Sequence, residues 1–93
     1  MASLHPTHGA RITLERETGE PGQACFAVEL HEPDEVLRTG RLVIEEEVRL
    51  EWSGEAPAAW VHVFIERLAK GLRTKHAVDG SWPRRVRRWR AER

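Results

Sequence analysis

Three stretches of this chain alternate apolar and polar residues one for one, and a fourth follows a different period. A side chain changes face at every residue of a strand but only every 3.6 residues of a helix, so the two patterns cannot share one element. In the first stretch Ile12 and Leu14 point one way, and Thr13 and Glu15 the other. In the second, Ala24, Phe26, Val28 and Leu30 share a face, and Cys25, Ala27, Glu29 and His31 share the opposite one. Gly19, Pro21 and Gly22 between them are turn residues, so the pair reads as a hairpin. Pro33 and Asp34 close the second run, and Glu35 to Gly40 fits a single helical turn or a loop. The third run, Arg41 to Trp52, sets Leu42, Ile44, Val48, Leu50 and Trp52 against Val43, Glu45, Glu47, Arg49 and Glu51. It is long for one strand, so it is expected to bend or to extend past the sheet.

The segment after Pro57 has helical period. Spaced at 100° per residue, Trp60, Phe64, Leu68, Val61, Leu72 and Ile65 fall within an arc of about 140°. A helix over residues 57–73 is predicted, its stripe laid across the apolar face of the sheet. The expected architecture is an α+β two-layer domain. It has a three- or four-stranded antiparallel meander with one long helix on one face, plus a short basic C-terminal helix or arm. Ninety-three residues allow one domain, 1–93. It divides into a loose lead over 1–9, a β-β-β-α core over 10–76 and a basic arm over 77–93.

Charge is unevenly spread. Residues 84–93 hold six arginines and one acid, a net +5, while residues 1–83 hold nine bases and fourteen acids, a net −5. Arg84, Arg85, Arg87, Arg88, Arg90 and Arg93 surround Val86 and Trp89. As a helix, this segment sets Trp82, Val86 and Trp89 on one side. As a strand, it sets Trp82 and Val86 on one face and Trp89 on the other. The helix is preferred because it gathers the apolar residues. Such an arm fits docking onto carboxylates, of its own chain or a neighbour's, through Trp82, Arg84, Arg85, Val86, Arg87, Arg88, Trp89 and Arg90. Glu29, Glu45, Glu47 and Glu51 supply a complementary surface. The alternatives are a nucleic-acid contact, with guanidinium groups on phosphates and an indole on an unpaired base, and a frayed end.

Glu46 is in phase with the apolar face of the third run. A carboxylate there is either freed by a bend, paired with an arginine, or desolvated in the manner of a general acid or base. With Trp52 and Trp60 it defines a possible pocket between helix and sheet. His5 and His8 are separated by two residues in the lead, His31, His62 and His76 are scattered, and Cys25 is the one cysteine. No metal site and no cofactor are expected from that set. Cys25 and His31 lie about 20 Å apart along a strand, too far to act as a nucleophile and its base. No glycine-rich phosphate loop precedes a helix, and Ser3, Ser53 and Ser81 lack a nucleophile context.

The lone cysteine and the lack of a signal segment or an apolar run of spanning length lead to an expectation of a cytoplasmic protein outside the membrane. One helix covers only part of a sheet with so long a strand, so a homodimer is expected, joined through that strand, the sheet edge or the arm. The leading function is a non-enzymatic interaction module. Nucleic-acid binding through the arm, and a small ligand-binding or enzymatic domain around Glu46, are the alternatives.

Overall fold

A computed structural model describes residues 5–91 of the chain. The first two alternating runs form strands β1 (Ala10–Glu20) and β2 (Gln23–His31), paired antiparallel with Leu14 opposite Val28 and Ile12 opposite Leu30. Their inward residues Ile12, Leu14, Ala24, Phe26, Val28 and Leu30 are all at most 1% exposed. Each large aliphatic or aromatic side chain among them contributes roughly 1.5–3 kcal/mol relative to an exposed position. The register shifts between Arg16 and Thr18, a bulge that releases the end of β1 from strict alternation.

The third run is not one strand. It divides into β3 (Leu37–Ile44) and β4 (Val48–Trp52), joined by a turn at Glu45–Glu47. The cause lies in the three consecutive carboxylates. A continuous strand would drive Glu46 into the core, whereas the turn leaves Glu46 exposed. Glu45 N–H donates to the Glu47 carbonyl across the turn, and the Arg73 guanidinium donates to the carbonyls of Glu45 and Glu46. On β3, a Cβ at Gly40 would sit 2.4 Å from the Glu51 carbonyl oxygen and 3.1 Å from the Trp52 ring, so only glycine lets that indole lie across the strand. Between β2 and β3, where a helical turn or loop was expected, the chain reverses with positive φ at Asp34 (62°) and Glu35 (61°). Two successive positive φ values are the signature of a type I′ hairpin.

The helix α1 (Ala59–Asp79) starts after an Ala58 N-cap that makes no side-chain hydrogen bond. It outruns the expected end at residue 73 and stops at Gly80, whose φ of 76° is left-handed and whose N–H donates to the His76 carbonyl. Its buried seam is Val61, Ile65 and Ala69, a rotation away from the expected stripe. The small Ala69 lets the helix approach the sheet closely. Trp60 and Phe64 then wedge in beside it as half-buried flanks of the core.

The segment expected as a basic helix is a strand, β5 (Arg85–Arg90). It pairs antiparallel with β1, placing Val86 opposite Leu14 and Arg90 opposite Ala10. The sheet therefore has five strands rather than three or four, in the order β4-β3-β2-β1-β5. The backbone of β1 decides the outcome. Its second edge would otherwise present unpaired N–H and C=O groups over a buried core, and a strand satisfies all of them where a helix satisfies none.

Candidate functional site

The two tryptophans of the C-terminal segment part company. Trp82 is 7% exposed, stacks on His76 with ring centroids 3.9 Å apart, and donates its indole N–H to the Glu20 carbonyl at 2.8 Å. Arg16 donates to the Trp82 carbonyl at 2.8 Å, and Gly22 N–H donates to His76 Nε2 at 3.0 Å. These bonds clip the end of α1, the β1–β2 turn and the entry to β5 together. Trp82 and Val86, also 7% exposed, are thus architectural. Trp89 points to the opposite face and is 47% exposed, with its indole N–H donating to the His8 carbonyl at 3.1 Å. That contact, with the His5 ring nitrogen on the Glu32 carbonyl, holds residues 5–8 against the domain.

β5 is an edge, and the polarity of its free backbone groups follows from one bond. Arg16 N–H donates to the Arg84 carbonyl directly opposite it. In an antiparallel ladder such bonded pairs recur at every second residue. The pairs Leu14–Val86, Ile12–Arg88 and Ala10–Arg90 are then the bonded ones. The N–H and C=O groups of Arg85, Arg87 and Trp89 consequently face outward, without a strand beyond them, and the Arg87 carbonyl accepts from the Arg88 guanidinium at 2.7 Å.

The side chains along this edge are cationic on both faces. Arg85, Arg87 and Trp89 share the outer sheet face with Arg11, Thr13 and Glu15 of β1. Val86, Arg88 and Arg90 share the helix side. Among the described residues, Arg85 is the one β5 arginine within ion-pair distance of a carboxylate, 3.4 Å from Glu15, and both of these side chains are more than half exposed. Among the described residues, no arm arginine docks on Glu29, Glu45, Glu47 or Glu51. Arg41 instead pairs with Glu17, and Arg49 with Glu45. Arg84, Arg87 and Arg88 remain exposed, and Arg93 lies outside the described residues.

Arg90 leads from the edge into a groove of about 530 Å³ between α1 and β5, lined by Trp60, Val63, Phe64, Arg67 and Leu68. Its guanidinium lies 5.1 Å from the centroid of the Phe64 ring. Sequence reasoning missed Val63, which at helical spacing falls beside the polar residues of α1, and Arg67, which borders the apolar stripe but is charged. It missed Arg11 because nothing local tied that residue to Trp89.

The expected pocket of Glu46, Trp52 and Trp60 does not form as one site. Glu46 sits in the β3–β4 turn and Trp52 at the far end of β4, about 20 Å away at strand rise. Trp60 lines the groove beside β5. Cys25 lies 3.7 Å from a Glu17 carboxylate oxygen, and burial together with that negative charge pushes its thiol up, away from the reactive thiolate. His31, buried on the outer face beneath the His5 ring, is held below the ordinary histidine range, first by desolvation and then by His5. Among the described residues no three His, Cys, Asp or Glu side chains converge as a metal site.

No protein-family model matches this chain, and no curated protein or solved structure is significantly similar to it. Among the described residues, no helix is long and apolar enough to cross a membrane.

Proposed function

We propose that this protein is a non-enzymatic interaction module that receives an extended acidic segment of a partner protein along β5. The observation that carries this reading is the coincidence of two features on one strand. Outward backbone groups at Arg85, Arg87 and Trp89 stand among arginines of which, among the described residues, only Arg85 has a carboxylate within ion-pair distance. A strand added to an edge gains its affinity from main-chain hydrogen bonds and its specificity from side chains on alternate positions. Acidic residues of the partner would lie beside Arg85 and Arg87 on the outer face. On the helix side they would lie beside Arg88, and an apolar residue near Arg90 would enter the groove of Trp60, Phe64 and Leu68. The ion pairs contribute orientation and rate of association more than affinity.

A nucleic-acid partner is less well supported. Trp89 is packed in a T-shaped contact with His8, with ring centroids 5.2 Å apart, and acidic Glu15 and Glu29 share its sheet face and would repel a polyanion. The test is titration of the 15N-labelled protein with a short peptide of alternating glutamate and valine. A lysine–valine peptide and oligothymidylate serve as comparisons. The acidic peptide is expected to shift the amides of Arg85, Arg87 and Trp89. Arg87→Pro, which removes an outward N–H but no internal bond, is expected to abolish the effect, and Arg87→Gln to weaken it. Tighter binding of oligothymidylate than of the acidic peptide would reassign the edge to nucleic acid. Binding that survives Arg87→Pro would refute strand addition.

A further inference from the structure

The opposite edge of the sheet is built differently, and we infer that it joins two copies of this chain. The backbone polarity of β4 is fixed by two bonds that flank it. Ser53 N–H donates to the Thr39 carbonyl, and Glu45 N–H to the Glu47 carbonyl, each between residues directly opposite one another. The bonded pairs on β4 are therefore Arg49–Val43 and Glu51–Arg41. Val48, Leu50 and Trp52 turn their N–H and C=O groups outward, away from β3.

Those outward groups allow a second β4 to add antiparallel about a two-fold axis at Leu50. Leu50 then faces Leu50 of the second copy, and Val48 faces its Trp52, as hydrogen-bonded pairs. Between them Arg49 of each copy stands opposite Glu51 of the other. Both pairs form at once, as a two-fold interface requires. The neighbouring registers that keep the outward residues in phase are penalised. One sets Arg49 against Arg49, and the other sets Glu51 against Glu51. A slip by a single residue exchanges the core and outer faces. One alignment is thus singled out by charge and backbone parity together.

The β5 edge excludes the same partner. Its outward residues are Arg85, Arg87 and Trp89, so self-pairing about the strand centre would oppose Arg87 to Arg87 in a strand with four arginines among six residues. Like charges placed opposite one another guard an edge against self-association. β4 has no such guard. It has a self-complementary Arg49/Glu51 pair and three half-buried apolar residues, Val48, Leu50 and Trp52. The resulting assembly is a ten-stranded sheet with a basic β5 at each end. This inference does not rest on the partner proposed for β5, since the two edges are separate.

The experiment uses charge reversal on exposed side chains. Sedimentation equilibrium of the full chain at concentrations up to about 1 mM reaches even weak interfaces below ~1,200 Å². The wild-type protein is expected at twice the chain mass of 10.7 kDa. Arg49→Glu and Glu51→Arg are each expected to be monomers with unchanged circular dichroism. Mixed in equal amounts, the two variants are expected to form a heterodimer, because each supplies the charges the other lacks. The double variant R49E/E51R is expected to self-associate again. A monomeric wild-type protein overturns the inference. So do single variants that remain dimeric, or a mixture that stays monomeric.

Discussion

Replacing Trp82 by alanine measures how far the C-terminal segment belongs to the core. The side chain is 7% exposed, so nearly all of it is withdrawn from water. A buried tryptophan of roughly 200 Å² at about 25 cal/mol/Å² corresponds to some 5 kcal/mol. The extended-chain reference makes that an upper value, and large-to-small core replacements of aromatic residues cost about 3–5 kcal/mol. Trp82→Phe keeps most of the ring and loses the bond to the Glu20 carbonyl, a cost of about 1–2 kcal/mol. Trp89→Ala removes a side chain already 47% exposed at the sheet edge and is expected to cost about 1–2 kcal/mol. The assay is urea unfolding followed by far-ultraviolet circular dichroism. With a slope of about 1.5 kcal/mol/M for a domain of this size, a 4 kcal/mol loss lowers the midpoint by roughly 2–3 M. The total stability is on the order of 5–14 kcal/mol, so Trp82→Ala leaves a marginal protein. If Trp82→Ala shifted the midpoint no more than Trp89→Ala, the clip of Trp82, His76 and Glu20 would not anchor β5.

Three further outcomes follow from local geometry. Glu35→Gly relieves a left-handed residue in the β2–β3 turn and is expected to raise stability by about 1 kcal/mol in the same urea assay. Ala58→Asp supplies the missing N-cap of α1 and is expected to add about 1 kcal/mol, since the φ of −56° and ψ of 148° already suit a capping side chain. For His31, burial lowers the folded-state pKa below the ordinary histidine value of about 6.5, so the unfolded chain binds more protons as pH falls past that value. Stability is then complete above about pH 6.5 and declines as acidification carries the protein through the lowered folded-state pKa. His31→Gln is expected to flatten that decline in thermal melts taken between pH 7 and pH 5, and an unchanged slope would assign it to other groups.

The parts of the fold that were legible in the sequence are those where one face is buried and the other wet. Alternation in Ala24–His31 identified β2, and helical spacing from Trp60 to Leu72 identified α1. The β3–β4 turn was legible only as a bend, because Glu46 breaks the alternation but no glycine, proline or asparagine marks a full chain reversal. A turn that relies on its own carboxylates being in water carries no such marker. β5 was hidden because arginine occupies both of its faces, so Arg85–Arg90 shows almost no alternation. The long guanidinium stems let a strand be cationic on its inner side as well. Trp82, which precedes the strand, supplied the four-and-three spacing that mimicked a helix. The charge of the candidate site was legible, but its directionality was not. Which backbone groups of β5 and β4 face outward depends on the strands they pair with, and those partners lie far away in the chain.

The most direct measurement of the central claim is amide hydrogen exchange along residues 85–90, read residue by residue by NMR. An edge strand paired with β1 protects Val86, Arg88 and Arg90, and leaves Arg85, Arg87 and Trp89 exchanging at nearly unstructured rates. Uninterrupted protection across all six amides in the isolated protein, or protection at none of them, would contradict a paired strand with a free outer edge.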